Sequence, residues 1–181
     1  MQYGKIVHVF NHKGKEVVLR YPRIEDTSGL LSSINSLISE KAFILYRKKK
    51  TQKEELEWLL EKIKNIEEKK EVFLVIELDK KIVGSCGVEK RKEKQDYIGD
   101  FGIILKKEAR NVGLGQKIIP LIVREAKVKL RVKTFILEVV KKNTQALHVY
   151  EKMGFQKTGE LKKGINHFGK YFDLISMVKY L

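Results

Sequence analysis

Seven consecutive residues, Arg110-Asn111-Val112-Gly113-Leu114-Gly115-Gln116, stand between an apolar run at 101–105 and an apolar-periodic segment that begins at Ile118. The pattern predicts a strand, a glycine-bearing turn and a helix. Two glycines at a helix mouth let backbone N–H groups approach a ligand closely, and the unpaired amides of the first helical turn favour an anion. The chemistry available here is phosphate binding. The same glycines also make an ordinary turn, and the seven residues alone do not choose between the two. The stretch lacks the third glycine of a dinucleotide fingerprint, and no Gly-Lys-Ser/Thr follows, which weighs against NAD and ATP sites.

Other reactive side chains are few. Cys86 is the only cysteine, which excludes an intrachain disulfide and a cysteine metal cluster. Its neighbours Ile82-Val83-Gly84-Ser85 and Gly87-Val88 suit a thiol buried as a small hydrophobe rather than a nucleophile. His8, His12, His148 and His167 show no metal-ligand spacing, so no metal is expected.

Net charge is +15, from 38 Lys and Arg against 23 Asp and Glu, which makes a field attractive to polyanions. A nucleic acid, a ribosome, a membrane surface or a phosphorylated cofactor would all answer to it. The basic runs at 47–50 and 90–94 are not interleaved with aromatics as a base-stacking platform would be. No apolar run approaches the ~20 residues of a membrane span, and residues 1–10 lack the apolar core of a secretory signal, so a cytoplasmic protein is expected. A length of 181 residues suits one domain over the whole of 1–181.

The elements that must position the turn follow from periodicity. Segments 7–10 and 17–21 around Asn11-His12-Lys13-Gly14 predict a hairpin. Asp26-Thr27-Ser28 can cap a helix with Leu30, Leu31, Ile34, Leu37 and Ile38 on one face, and Thr51 with Glu54 has capping-box spacing ahead of Leu56, Leu60 and Ile63. Strands at 72–78, 82–88 and 97–105 are joined by short connections and predict an antiparallel meander. A helix over about 113–129 and a strand at 134–140 then require one parallel crossover, with a ligand crevice at the carboxyl ends of its strands. Pro120 inside that helix removes one hydrogen bond and predicts a kink or a late helix start. Asn143-Thr144 caps a short helix that Gly154 stops, and segments 155–161 and 168–180 form a final hairpin with Gly164 and Gly169 available for turns. The fold class is α/β (α+β), with a mixed, mostly antiparallel sheet.

Arg110-x-x-Gly113-x-Gly115 after an apolar strand, followed by Asn143-x-x-Ala146-x-x-x-Tyr150-x-x-x-Gly154-Phe155, resembles the GNAT superfamily of N-acetyltransferases. The resemblance covers almost the whole chain. It implies a sheet of about six or seven strands, splayed between the third meander strand and the strand after the crossover helix, with acetyl-CoA in the splay. By position, Arg110, Asn111, Val112, Gly113, Leu114, Gly115 and Gln116 would wrap the pyrophosphate, with Lys106, Lys107 and Lys117 nearby for further phosphates. Ile103, Ile104 and Leu105 would pair with the pantetheine arm, Asn143 would contact that arm, and Lys152 would reach a phosphate. Lys107 stands where the family often has proline.

The implied reaction is direct attack of a neutral primary amine, a small amine or a protein N-terminus, on the thioester in a ternary complex. Tyr150 matches the family's general acid, a phenol of pKa ~10 protonating a thiolate whose conjugate acid lies near ~8.5. A backbone N–H near Leu105 would hold the oxyanion. Asp100, Glu89 and Glu138 lie on strands where a base could act through water, and the base stays unassigned. A strongly positive surface disfavours polycationic acceptors unless the crevice is locally acidic. Two other readings compete: a basic nucleic-acid- or ribosome-associated module, and a CoA-binding sensor without turnover. The implied partners are acetyl-CoA and an amine, with no membrane; a nucleic acid is compatible but not required, and so is a homodimer.

Overall fold

The computed structural model describes residues 2–181. Eight strands form one sheet: β1 (Ile6–His12), β2 (Lys15–Arg20), β3 (Glu71–Leu78), β4 (Lys81–Lys90), β5 (Ile98–Leu105), β6 (Thr134–Val140), β7 (Gln156–His167) and β8 (Lys170–Tyr180). Their order is β1-β2-β3-β4-β5-β6-β8-β7, and every neighbouring pair is antiparallel except β5–β6. The described residues also form four α-helices: α1 (Thr27–Ser39), α2 (Gln52–Glu67), α3 (Leu114–Leu130) and α4 (Thr144–Lys152).

Local chemistry sets the boundaries. Three hairpin turns close on two residues at positive φ: Lys13-Gly14, Asp79-Lys80 and Phe168-Gly169. This is the geometry whose twist matches that of the flanking strands. The first and second turns are therefore shorter than the sequence pattern implies, and Gly164 lies within β7 beside a register shift rather than in a turn. Thr51 and Glu54 form the expected capping box on α2: the Thr51 hydroxyl accepts from the Glu54 N–H, and the Glu54 carboxylate accepts from the Thr51 N–H.

α3 occupies nearly the expected span, and Pro120 does not delay it. It begins at Leu114 and runs unbroken through Pro120, so there is no late start. Proline cannot donate to the carbonyl four residues back, that of Gln116. Because Pro120 lies on the exposed side of the helix, solvent can reach the ladder there and the loss is tolerable.

The two faces of the sheet carry different helices. Trp58 and Lys62 of α2 meet Phe73 and Glu71, which places α1 and α2 on the face of those residues. Tyr21 donates to Glu125 of α3, and Tyr150 of α4 packs on Phe101, which places α3 and α4 on the other face. Leu74, Ile76, Ile118, Ile119, Ile122 and Phe135 are fully or almost fully buried in the core on that second face.

Gly84 of β4 shows how closely the sheet is built. A Cβ there would lie 2.2 Å from the carbonyl oxygen of Ile104 and 3.0 Å from Cδ2 of Leu105. Backbone cannot yield as a flexible side chain does. Gly84→Ala is expected to lower stability by at least about 1–3 kcal/mol, read as the shift in urea midpoint at unchanged m-value.

Candidate active site

The parallel junction is where the sheet opens. β5 and β6 pair only over Ile98–Thr134, Gly99–Phe135 and Asp100–Ile136. Beyond those pairs, residues 101–105 and 137–140 present edges to each other without strand pairing. A cavity of about 1160 Å³ occupies the opening and continues over the α1–α2 face.

One end of the cavity is the glycine turn. Asn111 and Gly113 are both left-handed, at φ 60° and 85°, with Val112 between them. Such alternation turns successive amides toward one concavity and suits an anion. No side chain caps the N-terminus of α3, so its first-turn amides have no side-chain acceptor. A Cβ added to Gly115 would meet only Val149, at 3.8 Å, which is an ordinary contact. Protein packing does not demand glycine there; a close ligand would.

Of the residues that the sequence brings forward as cofactor contacts, Ile103, Ile104, Leu105, Arg110, Asn111, Gly113, Leu114, Gly115, Gln116 and Asn143 line the cavity. Val112 does not; its carbonyl accepts a hydrogen bond from Nε2 of His12, at 2.9 Å, so the tip of the β1–β2 hairpin rests on the turn. Lys152 stands exposed at the C-terminal end of α4, outside the cavity lining. Arg110 is ion-paired with Glu40 at the end of α1, while its Nε is buried without a partner. The Asn143 side chain accepts from the Ala146 N–H at 3.3 Å, so it both caps α4 and borders the cavity.

Tyr150 projects from α4 into the opening. Its ring packs edge-on against Phe101 and Phe155, at centroid distances of 6.2 and 5.8 Å. Its hydroxyl has no hydrogen-bond partner among the described residues, and burial pushes the phenol up to about 12. A proton is thus held on the hydroxyl at neutral pH and offered into the cavity. The Cys86 thiol, by contrast, is buried and pushed upward by desolvation alone, which leaves it inert.

The cavity's other half carries carboxylates. Asp100 is clamped by Arg91 through Nε and a terminal nitrogen at 2.8 and 2.7 Å. Glu89 lies 3.7 Å from Lys62 Nζ, and Glu138 also borders the space. Two further acids, Glu55 and Glu71, line the cavity and are buried. The sequence pattern does not single them out: Glu55 sits within a helix, and Glu71 immediately precedes the apolar run of its strand.

No group of three or more His, Cys, Asp or Glu among the described residues is arranged to hold a metal ion, and no helix is long and apolar enough to cross a membrane.

Comparison with known proteins agrees with this geometry. The family pattern of the Acetyltransferase (GNAT) domain matches residues 19–176. L-amino acid N-acetyltransferase AaaT of Escherichia coli (strain K12) is 28% identical over 107 residues, a match spanning 59% of this chain and 66% of that protein. Among solved structures, a GNAT-family acetyltransferase from Streptococcus pneumoniae superposes with TM-score 0.79 at 24% identity, covering 91% of this chain and 99% of its own. yncA from Salmonella typhimurium, solved with its cofactor acetyl-CoA, superposes with TM-score 0.79 at 17% identity, covering 91% and 94%. The splayed junction, the uncapped glycine turn and the matched family pattern coincide in one molecule, and the chain belongs to the GNAT family as an acetyl-CoA-dependent N-acetyltransferase.

Proposed function

We propose that residues 1–181 act as one domain in which the opened β5–β6 junction takes acetyl-CoA and a primary amine together, and that the turn at 110–116 and Tyr150 divide the work. The observation that carries this reading is the opening itself, with an uncapped helix N-terminus at one end and an unpartnered phenol on its wall.

Acetyl-CoA supplies an activated acyl thioester. The amides of Asn111, Val112, Gly113, Leu114, Gly115 and Gln116 hold its pyrophosphate, and Arg110 exchanges Glu40 for a phosphate oxygen. The free edge at Ile103, Ile104 and Leu105 pairs with the amide-bearing arm as an added strand would. Asn143 borders that arm, and Lys152, being exposed, is free to reach an outlying phosphate. Tyr150 keeps its proton until the departing sulfur is most basic, then gives it up; burial makes the phenol a reluctant acid, so the transfer accompanies bond breaking rather than preceding it. Asp100, with both oxygens engaged by Arg91, is not poised as a base, and an amine that arrives neutral requires none.

Calorimetric titration with CoA and a thiol-release assay over a panel of amines test the reading. The expected result is CoA binding in the micromolar to millimolar range usual for such substrates and turnover with at least one amine. The rate should climb with pH as the acceptor ammonium loses its proton, without a fall below about pH 10 from the acid, because the folded protein keeps Tyr150 neutral there. An absence of CoA binding at millimolar concentration sinks the proposal.

A further inference from the structure

Strand pairing sets three carboxylates in one row. Glu71 of β3 pairs with Glu89 of β4, and Glu89 pairs with Asp100 of β5, so the three side chains stand side by side on the face that α1 and α2 cover. Like charges opposite one another repel. Lys62 offsets part of this, reaching Glu71 at 2.8 Å and Glu89 at 3.7 Å, and Arg91 takes Asp100.

The compensation is incomplete in two places. Oε2 of Glu71 is buried with no hydrogen-bond partner, and burial pushes the carboxyl above its ordinary range although Lys62 and Asn65 pull the other way. Glu55, on α2, is 6% exposed and lines the cavity, yet its carboxylate makes no hydrogen bond or ion pair among the described residues. An unpaired buried carboxylate is unfavourable; it is relieved by taking up a proton, the direction in which burial pushes Glu55, or by a cation that takes the proton's place. Six carboxylates line the cavity against four cations, and one of those four is Arg110 of the glycine turn. The space is locally acidic in a chain of net charge +15.

Its walls fit the same guest. Trp58 and Phe73 stand edge to face at 5.3 Å, and Lys62 Nζ already lies 5.8 Å from the Trp58 ring centroid. Aromatic faces beside carboxylates favour an alkylammonium. The floor is low as well: a Cβ on Gly102 would meet nothing within 4 Å.

From the unpartnered Glu55, the acid surplus of the cavity and the aromatic walls we infer that the acceptor is a small diamine, one nitrogen receiving the acetyl group while the other stays an ammonium held by Glu55. This rests on the N-acetyltransfer reading above and names its substrate class. The long-range positive field opposes such an acceptor, and the local carboxylates prevail once it is inside the cavity.

The test compares kcat/KM for 1,4-diaminobutane and butylamine with saturating acetyl-CoA. A charge-assisted pair predicts a preference of roughly 10–100-fold for the diamine. In Glu55→Gln that preference should collapse toward unity, mainly through KM, with CoA affinity by calorimetry unchanged as proof of fold. Glu71→Gln, whose carboxylate is already taken by Lys62, should leave the preference within about threefold. Equal use of the two amines, or a preference that survives in Glu55→Gln, overturns the inference while leaving N-acetyltransfer standing. Turnover with no amine, despite CoA binding, overturns both.

Discussion

Tyr150→Phe is expected to lower kcat by about 10²–10³-fold while CoA affinity stays within about twofold, since general acid catalysis typically contributes a factor of that order. The substitution removes one oxygen and keeps the ring against Phe101 and Phe155. That hydroxyl has no partner inside the protein, so its loss strands no other polar group and the fold should be indifferent. Steady-state kinetics beside calorimetry separate the outcomes. Unchanged kcat would remove Tyr150 from its role; a parallel loss of CoA affinity would mean that the hydroxyl holds the cosubstrate instead.

The second large effect belongs to stability. Arg20, at the end of β2, is 5% exposed and grips Asp26 with both terminal nitrogens at 2.7 Å. Its Nε donates to Glu77 at 2.9 Å, and Asp26 also accepts from the N–H of Arg23 at 2.6 Å. This knot joins β2, β3 and the entrance to α1. Arg20→Met would leave two carboxylates without their cation, and removal of one partner from a buried ionic network costs about 3–5 kcal/mol. For a chain of this size that corresponds to a fall in Tm of roughly 6–20 °C. Calorimetric melting checks it, and adding Asp26→Asn and Glu77→Gln to Arg20→Met should recover part of the loss. A shift below about 2 °C would show that water reaches the pair and replaces the guanidinium.

Much of the fold can be read before any coordinates, for reasons specific to each segment. β6 matches the sequence reading residue for residue because it follows a left-handed cap at Arg131 and every one of its residues but Glu138 favours extended backbone or is buried. Asn143, Thr144 and Gly154 carry their own local hydrogen bonding and φ requirement, so that helix is equally plain. The span of α3 is legible too, but the effect of Pro120 is not, since proline's penalty depends on whether the freed carbonyl can find water, and that is decided by which side of the helix faces out.

The acceptor side is legible only in part. Asp100, Glu89 and Glu138 invite attention by lying on predicted strands, but nothing local places Glu71 beside Glu89. Those neighbours come from the two-residue turn at Asp79-Lys80 and a register shift between Ile76 and Glu77, which together determine what faces what across β3 and β4. One residue more or less in either would send Glu71 to the opposite face. The cosubstrate end is written in consecutive residues, whereas the acceptor end is written in register.

The hydrogen bond from His12 to Val112 bears on how far the shared family pattern can stand alone. That pattern begins at residue 19, within β2, so the hairpin tip that steadies the glycine turn lies outside it. A chain trimmed to 19–176 would keep every residue assigned to the chemistry and lose a brace holding the cradle still. It would also remove β1 and most of β2, baring on the edge of β3 a row of backbone donors and acceptors able to recruit a strand from another molecule. Here the peripheral hairpin guards solubility and the stillness of the site at once.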